Sequence, residues 1–345
     1  MGNKLFDYVI GNPPYQEDVK NSGDRANPVY NKFMDAAYGV ADCVELIHPA
    51  RFLFNAGQTP KAWNKKMLSD THFKVLKYEP DASKVFPNTD IKGGVAVTLY
   101  DERKDFGEIG TFIANPELNS IDKKVTAVTN VYLDSIVSSR GMYRFTEKFY
   151  LDYPNAGENV GSGTGNMIVS NIFEKLNEIF QRSPLEDDVP QVAIVGRIKN
   201  SREKRYIKAE YVVQNEFLPQ YNMMVAKSSG TGRFGEAFGD PFVLAPNEGA
   251  TDTYISIGHF ESEAEANTLV KYLHTKFFRT MLGVNKVTQD NPKSVWRSIP
   301  LQDFTPSSDI DWSKSIHEID LQLYRKYGLD EKEIEFIETH VKEMA

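Results

Sequence analysis

The chain has 345 residues, 41% hydrophobic and 12% aromatic, with a formal net charge of -8, which supplies core material for two or three domains. No run of about 18 apolar residues and no basic-then-apolar leader occurs, so neither a membrane span nor a secretion signal is expected and the expected compartment is the cytoplasm. Cys43 is the only cysteine, which excludes an internal disulfide and a thiolate zinc cluster; we read it as a buried thiol acting as a small hydrophobe and expect no metal centre.

The first predicted element, Phe6-Asp7-Tyr8-Val9-Ile10-Gly11-Asn12-Pro13-Pro14-Tyr15, is a short apolar strand that empties into an amide, a Pro-Pro corner and an aromatic ring. Such an exit can hold an exocyclic amine. The side-chain oxygen of Asn12 and the carbonyl of Pro13 can accept its hydrogens as the nitrogen turns tetrahedral. Pro13 and Pro14 fix φ and remove backbone donors, leaving carbonyls pointing outward. Tyr15 offers a stacking face to a base taken out of a duplex, worth about 1 to 3 kcal/mol. The bland alternative is a strand followed by a Pro turn.

After a polar loop over 16–27, Val29, Phe33, Ala37 and Ala41 recur at helical spacing and predict a helix packed on a sheet. A strand Val44 to Phe54 follows, then a helix Pro60 to Asp70 with Pro in its first turn, a strand His72 to Tyr78 and another from Gly93 to Tyr100. Helices alternating with strands imply an α/β fold with a mostly parallel, doubly wound sheet.

These residues resemble the N6-adenine DNA methyltransferases. Phe6 to Tyr15 looks like their motif IV, in the Asn-Pro-Pro-Tyr form of the gamma-type branch found in restriction-modification systems. Val44 to Phe54 is similar to the next core strand with its "Ile-x-Pro-x-x-Phe-Leu" exit, and Gly93 to Tyr100 to the later strand pair near the target base. The resemblance implies methyl transfer from S-adenosylmethionine to an adenine flipped out of double-stranded DNA. Asn12, Pro13, Pro14 and Tyr15 would be catalytic, and His48, Pro49, Arg51 and Phe52 would line or border the base pocket. It implies a base-binding half of a methyltransferase-like sheet over 1–110, a mixed α+β target-recognition domain over 111–305 and a helical segment over 306–345. In that branch the cofactor half comes first, yet five residues precede Phe6, so the resemblance also implies a chain without that half. A partner chain carrying it, or a nuclease, is the corresponding expectation. The alternative is a non-catalytic DNA-binding specificity subunit.

Gly161-Ser162-Gly163-Thr164-Gly165 resembles the Gly-Ser-Gly-Thr turn of permuted, beta-type methyltransferases, making Gly161, Gly163 and Gly165 candidate cofactor contacts. Glycines leading into a helix can cradle a polar group on free amides. Tyr153 to Asn159 is a poor strand to precede such a turn, and a linker capping a helix through Met167, Ile168, Ile172, Leu176 and Ile179 is the other reading.

From about Gly107 the pattern turns irregular and strand-rich. Between Arg197 and Lys208 stand six cations, Arg197, Lys199, Arg202, Lys204, Arg205 and Lys208, against the single acid Glu203. Local charge of this kind outweighs an acidic whole-chain balance where phosphates are concerned, so we expect DNA contact here. Lys227 to Glu236 forms a polar Gly-rich loop in which Lys227 and Arg233 could reach DNA, or an ordinary surface loop. Glu261 to Leu282 reads as one helix, and Asp330 with Glu333 as a capping box. A rival chemistry is DNA cleavage, because Pro80-Asp81 and Asp90-Ile91-Lys92 have the outline of a magnesium nuclease signature. His48 has no Ser or Cys partner to activate, which leaves it a place in or beside the pocket.

Overall fold

In the amino-terminal unit, Met1–Ala114, β-branched and aromatic residues set four strands and Pro or Gly sets their turns. The elements are β1 (Phe6–Gly11), α1 (Tyr30–Val40), β2 (Ala41–Pro49), α2 (Lys61–Ser69), β3 (Phe73–Glu79) and β4 (Val95–Asp101). The computed structural model describes residues 4–344 except 18–25, 56, 88, 90, 92, 161–164, 187, 200 and 287. The strands form one sheet in the order β1-β2-β4-β3.

The α/β class holds, but the sheet is mixed rather than mostly parallel. Only β1 and β2 run parallel, with Gly11 opposite Leu46, while β4 is antiparallel to both β2 and β3. The chain between Glu79 and Val95 makes the reversal, with Gly93 and Gly94, both at positive φ, at the head of β4. The expected strand to Phe54 stops at Pro49, and Arg51–Phe54 form a single 3-10 turn.

The core of this unit gathers Tyr30, Met34, Val44, Phe52, Trp63, Met67, Phe73 and Ala96. α1 buries Tyr30, Asn31 and Met34; of the expected Val29, Phe33, Ala37 and Ala41 stripe, Ala41 is buried and Ala37 packs against the core, while Phe33 is exposed. β1 lies at the sheet edge with one face open, where Phe6, Tyr8 and Ile10 are 55%, 48% and 73% exposed, while Val9 on the other face packs against the core. Among the described residues no strand pairs with its outer side.

The second unit, Asn115–Ala345, contains α3 (Pro116–Val128), α4 (Glu147–Asp152), α5 (Ala156–Val160), α6 (Ile172–Lys175), β5 (Gln191–Ile198), β6 (Ser201–Lys208), β7 (Tyr221–Ala226), β8 (Phe242–Leu244), β9 (Glu248–Ala250), β10 (Tyr254–Phe260), α7 (Glu263–His274), α8 (Lys276–Asn285), α9 (Ile316–Lys326) and α10 (Glu331–His340). Two small sheets, β10-β7-β8 and β6-β5-β9, flank a core built on Phe145, Phe149, Ile172, Phe173, Phe180, Ile194 and Met224.

The expected helix from Glu261 to Leu282 is two helices. Thr275 takes an extended backbone and its hydroxyl accepts from the Phe278 amide, so it closes α7 and caps α8. The Asp320 carboxylate of α9 accepts from the Lys276 and Phe277 amides, satisfying donors that a fresh helix start leaves open. The Asp330–Glu333 capping box forms as read. Residues 306–345 are not a separate segment, since α9 and α10 pack on α7, α8 and α3 inside the second unit.

Candidate functional site

The parallel pair brings two chain exits together, because strands running side by side in one direction release their ends at the same sheet margin. β1 ends at Gly11 and yields Asn12 to Tyr15; β2 ends at Pro49 and yields Arg51 and Phe52. Between them opens a cleft of about 140 Å³, lined by Tyr15, Gln16, Pro28, Tyr30, Pro49, Arg51, Gly57, Gln58 and Ile91. Tyr15, Pro49 and Arg51 line this one cleft. Asn12 and Pro14 are exposed and Pro13 is half-buried at the mouth of the same exit.

The Tyr15 ring stands edge-on to Phe86, centroids 6.3 Å apart. Its hydroxyl is buried and makes no well-directed hydrogen bond among the described residues. Burial pushes its pKa up, against a downward pull from the neighbouring Asn12 side chain. A buried hydroxyl without a directed partner keeps hydrogen-bonding capacity in reserve.

His48 and Phe52 do not line the cleft. Successive side chains of a strand alternate faces, and His48, on β2, is fully buried beneath the cleft floor. Its Nε2 shares a 2.8 Å hydrogen bond with the Thr98 hydroxyl, and its ring stacks on Tyr30 at 5.7 Å with planes 4° apart. Burial pulls its pKa down to about 4. Phe52 is fully buried and packs against Trp63 at 5.0 Å. Both are core residues that set the position of Tyr30, a cleft wall missing from the sequence reading. Gln16, Pro28, Gln58, Gly57 and Ile91 were equally unmarked, because they sit in loops without a periodic pattern.

The basic β5–β6 hairpin divides into engaged and open cations. Arg205 is 3% exposed, bonded to Glu203 at 2.7 Å and set over the Phe173 ring, so it is no DNA contact: its odd position in β6 points it inward. Arg202 lies 3.8 Å over the Phe242 ring and 3.4 Å from Asp240. Lys204 is paired with Glu248, and Lys208 stands 3.9 Å from Glu210. Arg197 and Lys199 are exposed, with no side-chain ion pair or hydrogen bond among the described residues.

In the Lys227 to Glu236 loop, Lys227 is also held, 3.1 Å from Asp252. Burial pushes Asp252 up, yet Arg140 and Lys227 outweigh it and keep the carboxyl below its usual range. The loop is internally fastened. Glu236 accepts from the Thr231 and Gly232 amides at 2.8 Å each, and buried Lys286 donates to the carbonyls of Ser229, Thr288 and Gln289 and to Asn291 Oδ1. Arg233 is left exposed on this fixed frame.

Gly161 and Gly163 lie outside the described residues. Gly165 has φ +57° and its carbonyl accepts from Arg144, while the segment before it is the short helix α5 rather than a strand. Asp90 and Lys92 of the nuclease outline also lie outside the described residues, and Asp81 is occupied in a turn with Ser83. No helix among the described residues is long and apolar enough to cross a membrane.

The model of the Eco57I restriction-modification methylase family matches residues 1–86, the stretch that carries both strand exits. Among solved structures, the type IIG restriction endonuclease BpuSI is similar at 11% identity, with 94% of this chain and 49% of that one covered and a TM-score of 0.32. The type IIL restriction-modification enzyme MmeI, solved in complex with DNA, is similar at 10% identity, covering 96% of this chain and 56% of that one, TM-score 0.36. The chain therefore spans about half the length of these structures. No curated protein matches it.

Proposed function

We propose that this chain, whose first 86 residues match the restriction-modification methylase family, is the base-binding and DNA-recognising part of an adenine-N6 DNA methyltransferase. The observation that carries the reading is the convergence of the Asn12–Tyr15 exit and the Pro49–Arg51 exit on one cleft at the ends of two parallel strands. A flipped base would stack on Tyr15, with Tyr30 and Pro49 as further apolar walls. Asn12 and the Pro13 carbonyl would accept the amino hydrogens and aim the nitrogen lone pair. No strong general base is required, since the amine can lose its proton after transfer.

S-adenosylmethionine is the methyl donor that the family implies. Of the candidate cofactor contacts, Gly161 and Gly163 lie outside the described residues and the Gly165 carbonyl accepts from Arg144. In this reading the chain supplies the base side of the reaction and another polypeptide segment the donor side. The outer side of β1, which no described strand pairs, supports this division, because an unpaired strand edge is open to strand addition. The same observation favours a second reading, a DNA-binding specificity subunit that transfers no methyl group itself.

The test is methylation of duplex DNA by the purified chain, alone and with candidate partners, beside its Asn12→Ala variant. Loss of methylation by about 100-fold or more with DNA binding retained supports the enzyme reading; absence of methylation under every condition leaves the specificity subunit.

A further inference from the structure

In the loop Lys227 to Glu236, which follows β7, one arginine stands open on a backbone fastened from three sides. Towards the segment after α8, the Ser229 amide donates to the Gln289 carbonyl at 2.8 Å, Lys286 donates to the Ser229 carbonyl at 3.1 Å, and Asn291 Nδ2 donates to the Ala226 carbonyl and the Ser229 hydroxyl. Gly232, at φ +85°, passes so close that a Cβ there would lie 2.6 Å from the Thr288 backbone, which reserves the position for glycine. Towards α10, the Lys342 amide donates to the Gly235 carbonyl at 2.9 Å and the Phe234 ring lies 5.4 Å from Phe336. Towards β5, Lys227 pairs with Asp252, and the adjacent Thr251 amide donates to the Val195 carbonyl at 2.9 Å, two residues before Arg197. The loop's acids are engaged as well: Glu236 accepts from the Thr231 and Gly232 amides, and Asp290 beside it accepts from the Ser228 hydroxyl. Arg233 is exposed, and among the described residues no ion pair, hydrogen bond or ring contact engages its guanidinium.

We propose that Arg233 reads a guanine through the major groove of the bound duplex and so sets one base pair of the recognition sequence, while Arg197 and Lys199 at the β5–β6 turn hold phosphates. A phosphate contact tolerates a loosely placed cation, because its attraction carries no sequence information and is shared along the backbone. A base contact does not. Two N–H groups of one planar fork must meet O6 and N7 of one guanine together, so the residue needs a mount that holds its direction. The fastened loop supplies that mount to Arg233 alone among the open cations of these two segments. This rests on the DNA-recognising reading of the chain.

The test presents the full chain with a pool of DNA duplexes randomised over their central positions and sequences the bound fraction. The wild-type chain should select guanine at one or more fixed positions. Arg233→Ala should lower that preference at a single position by about tenfold or more, keep the other preferences, and leave the slope of log affinity against log salt within about one of wild type. Arg197→Ala with Lys199→Ala should do the reverse, weakening binding to every sequence with all preferences kept. Gly232→Ala, whose backbone must draw back from Thr288, should blur the same position with the cation still present; a preference kept there overturns the role of the mount. A guanine preference unchanged in Arg233→Ala, or an even loss over all sequences, overturns the proposal. Wild-type binding that selects no guanine also overturns it while keeping the DNA-recognising reading, and no binding of any duplex overturns both.

Discussion

Two rings in the cleft region illustrate how burial decides role at the level of single residues. Tyr15 is half-buried on the cleft wall, whereas Phe52 is fully buried behind it. Tyr15→Ala should therefore reduce base binding with little change in stability, and Phe52→Ala should cost about 3 to 5 kcal/mol of stability, measured by urea unfolding. A Phe52 variant of wild-type stability with weakened binding would put that ring in the pocket after all. His48 makes a pH prediction. The folded chain keeps it neutral down to about pH 4, while the unfolded chain takes up its proton near 6.5. The unfolded state thus binds more protons between those values, so stability falls as pH drops through that window, by about 3 kcal/mol at full effect. His48→Gln should lose less stability than wild type between pH 7 and 4.5; equal losses would mean that the imidazole is not held neutral.

The elements that were legible in the sequence are those whose signal is local. Pro60 starts α2, the apolar run before Asn12 makes β1, and Asp330 with Glu333 caps α10. What failed depends on tertiary contact. Tyr30 and Met34 repeat at the same spacing as Val29 and Phe33, so periodicity sees a helix and cannot choose between adjacent faces. Strand direction is invisible too, since a run of apolar residues pairs either way, and the chain between Glu79 and Val95 returns β4 antiparallel to β3. The basic run in β6 was visible as charge, but which cations stay open follows from strand alternation and from acids far along the chain, Asp240 and Glu248. The prediction is that replacing exposed Arg197 and Lys199 together by Ala lowers DNA affinity and flattens its dependence on log salt by about 2. Arg205→Ala should instead lower the unfolding temperature, because it strips Glu203 and Phe173 of their partner. Equal salt slopes in the double variant and wild type would remove this hairpin from the DNA surface.

For the molecule as a whole, the least ordinary fact is an edge strand with one apolar face exposed and, among the described residues, no strand paired to its outer side. Phe6, Tyr8 and Ile10 alternate with Asp7 and Val9 along β1, and among the described residues its side-chain bond, Tyr8 to Glu45 at 2.8 Å, ties it to β2. Exposed apolar edges invite strand addition, and the exit of this strand carries Asn12, the residue on which the proposed chemistry depends. A donor-binding segment that added a strand along β1 would cover Ile10 and Phe6 and reach the cleft mouth in the same step. Calorimetric titration should then show no S-adenosylmethionine binding by the chain alone and saturable binding once such a segment is supplied. Phe6→Lys with Ile10→Lys should leave the unfolding free energy of the chain within about 0.5 kcal/mol of wild type, as surface changes do, and abolish that regained binding. If the chain alone binds the cofactor and the double variant binds it equally well, the donor site lies elsewhere in this sequence, and the residues around Gly161 become the first to mutate.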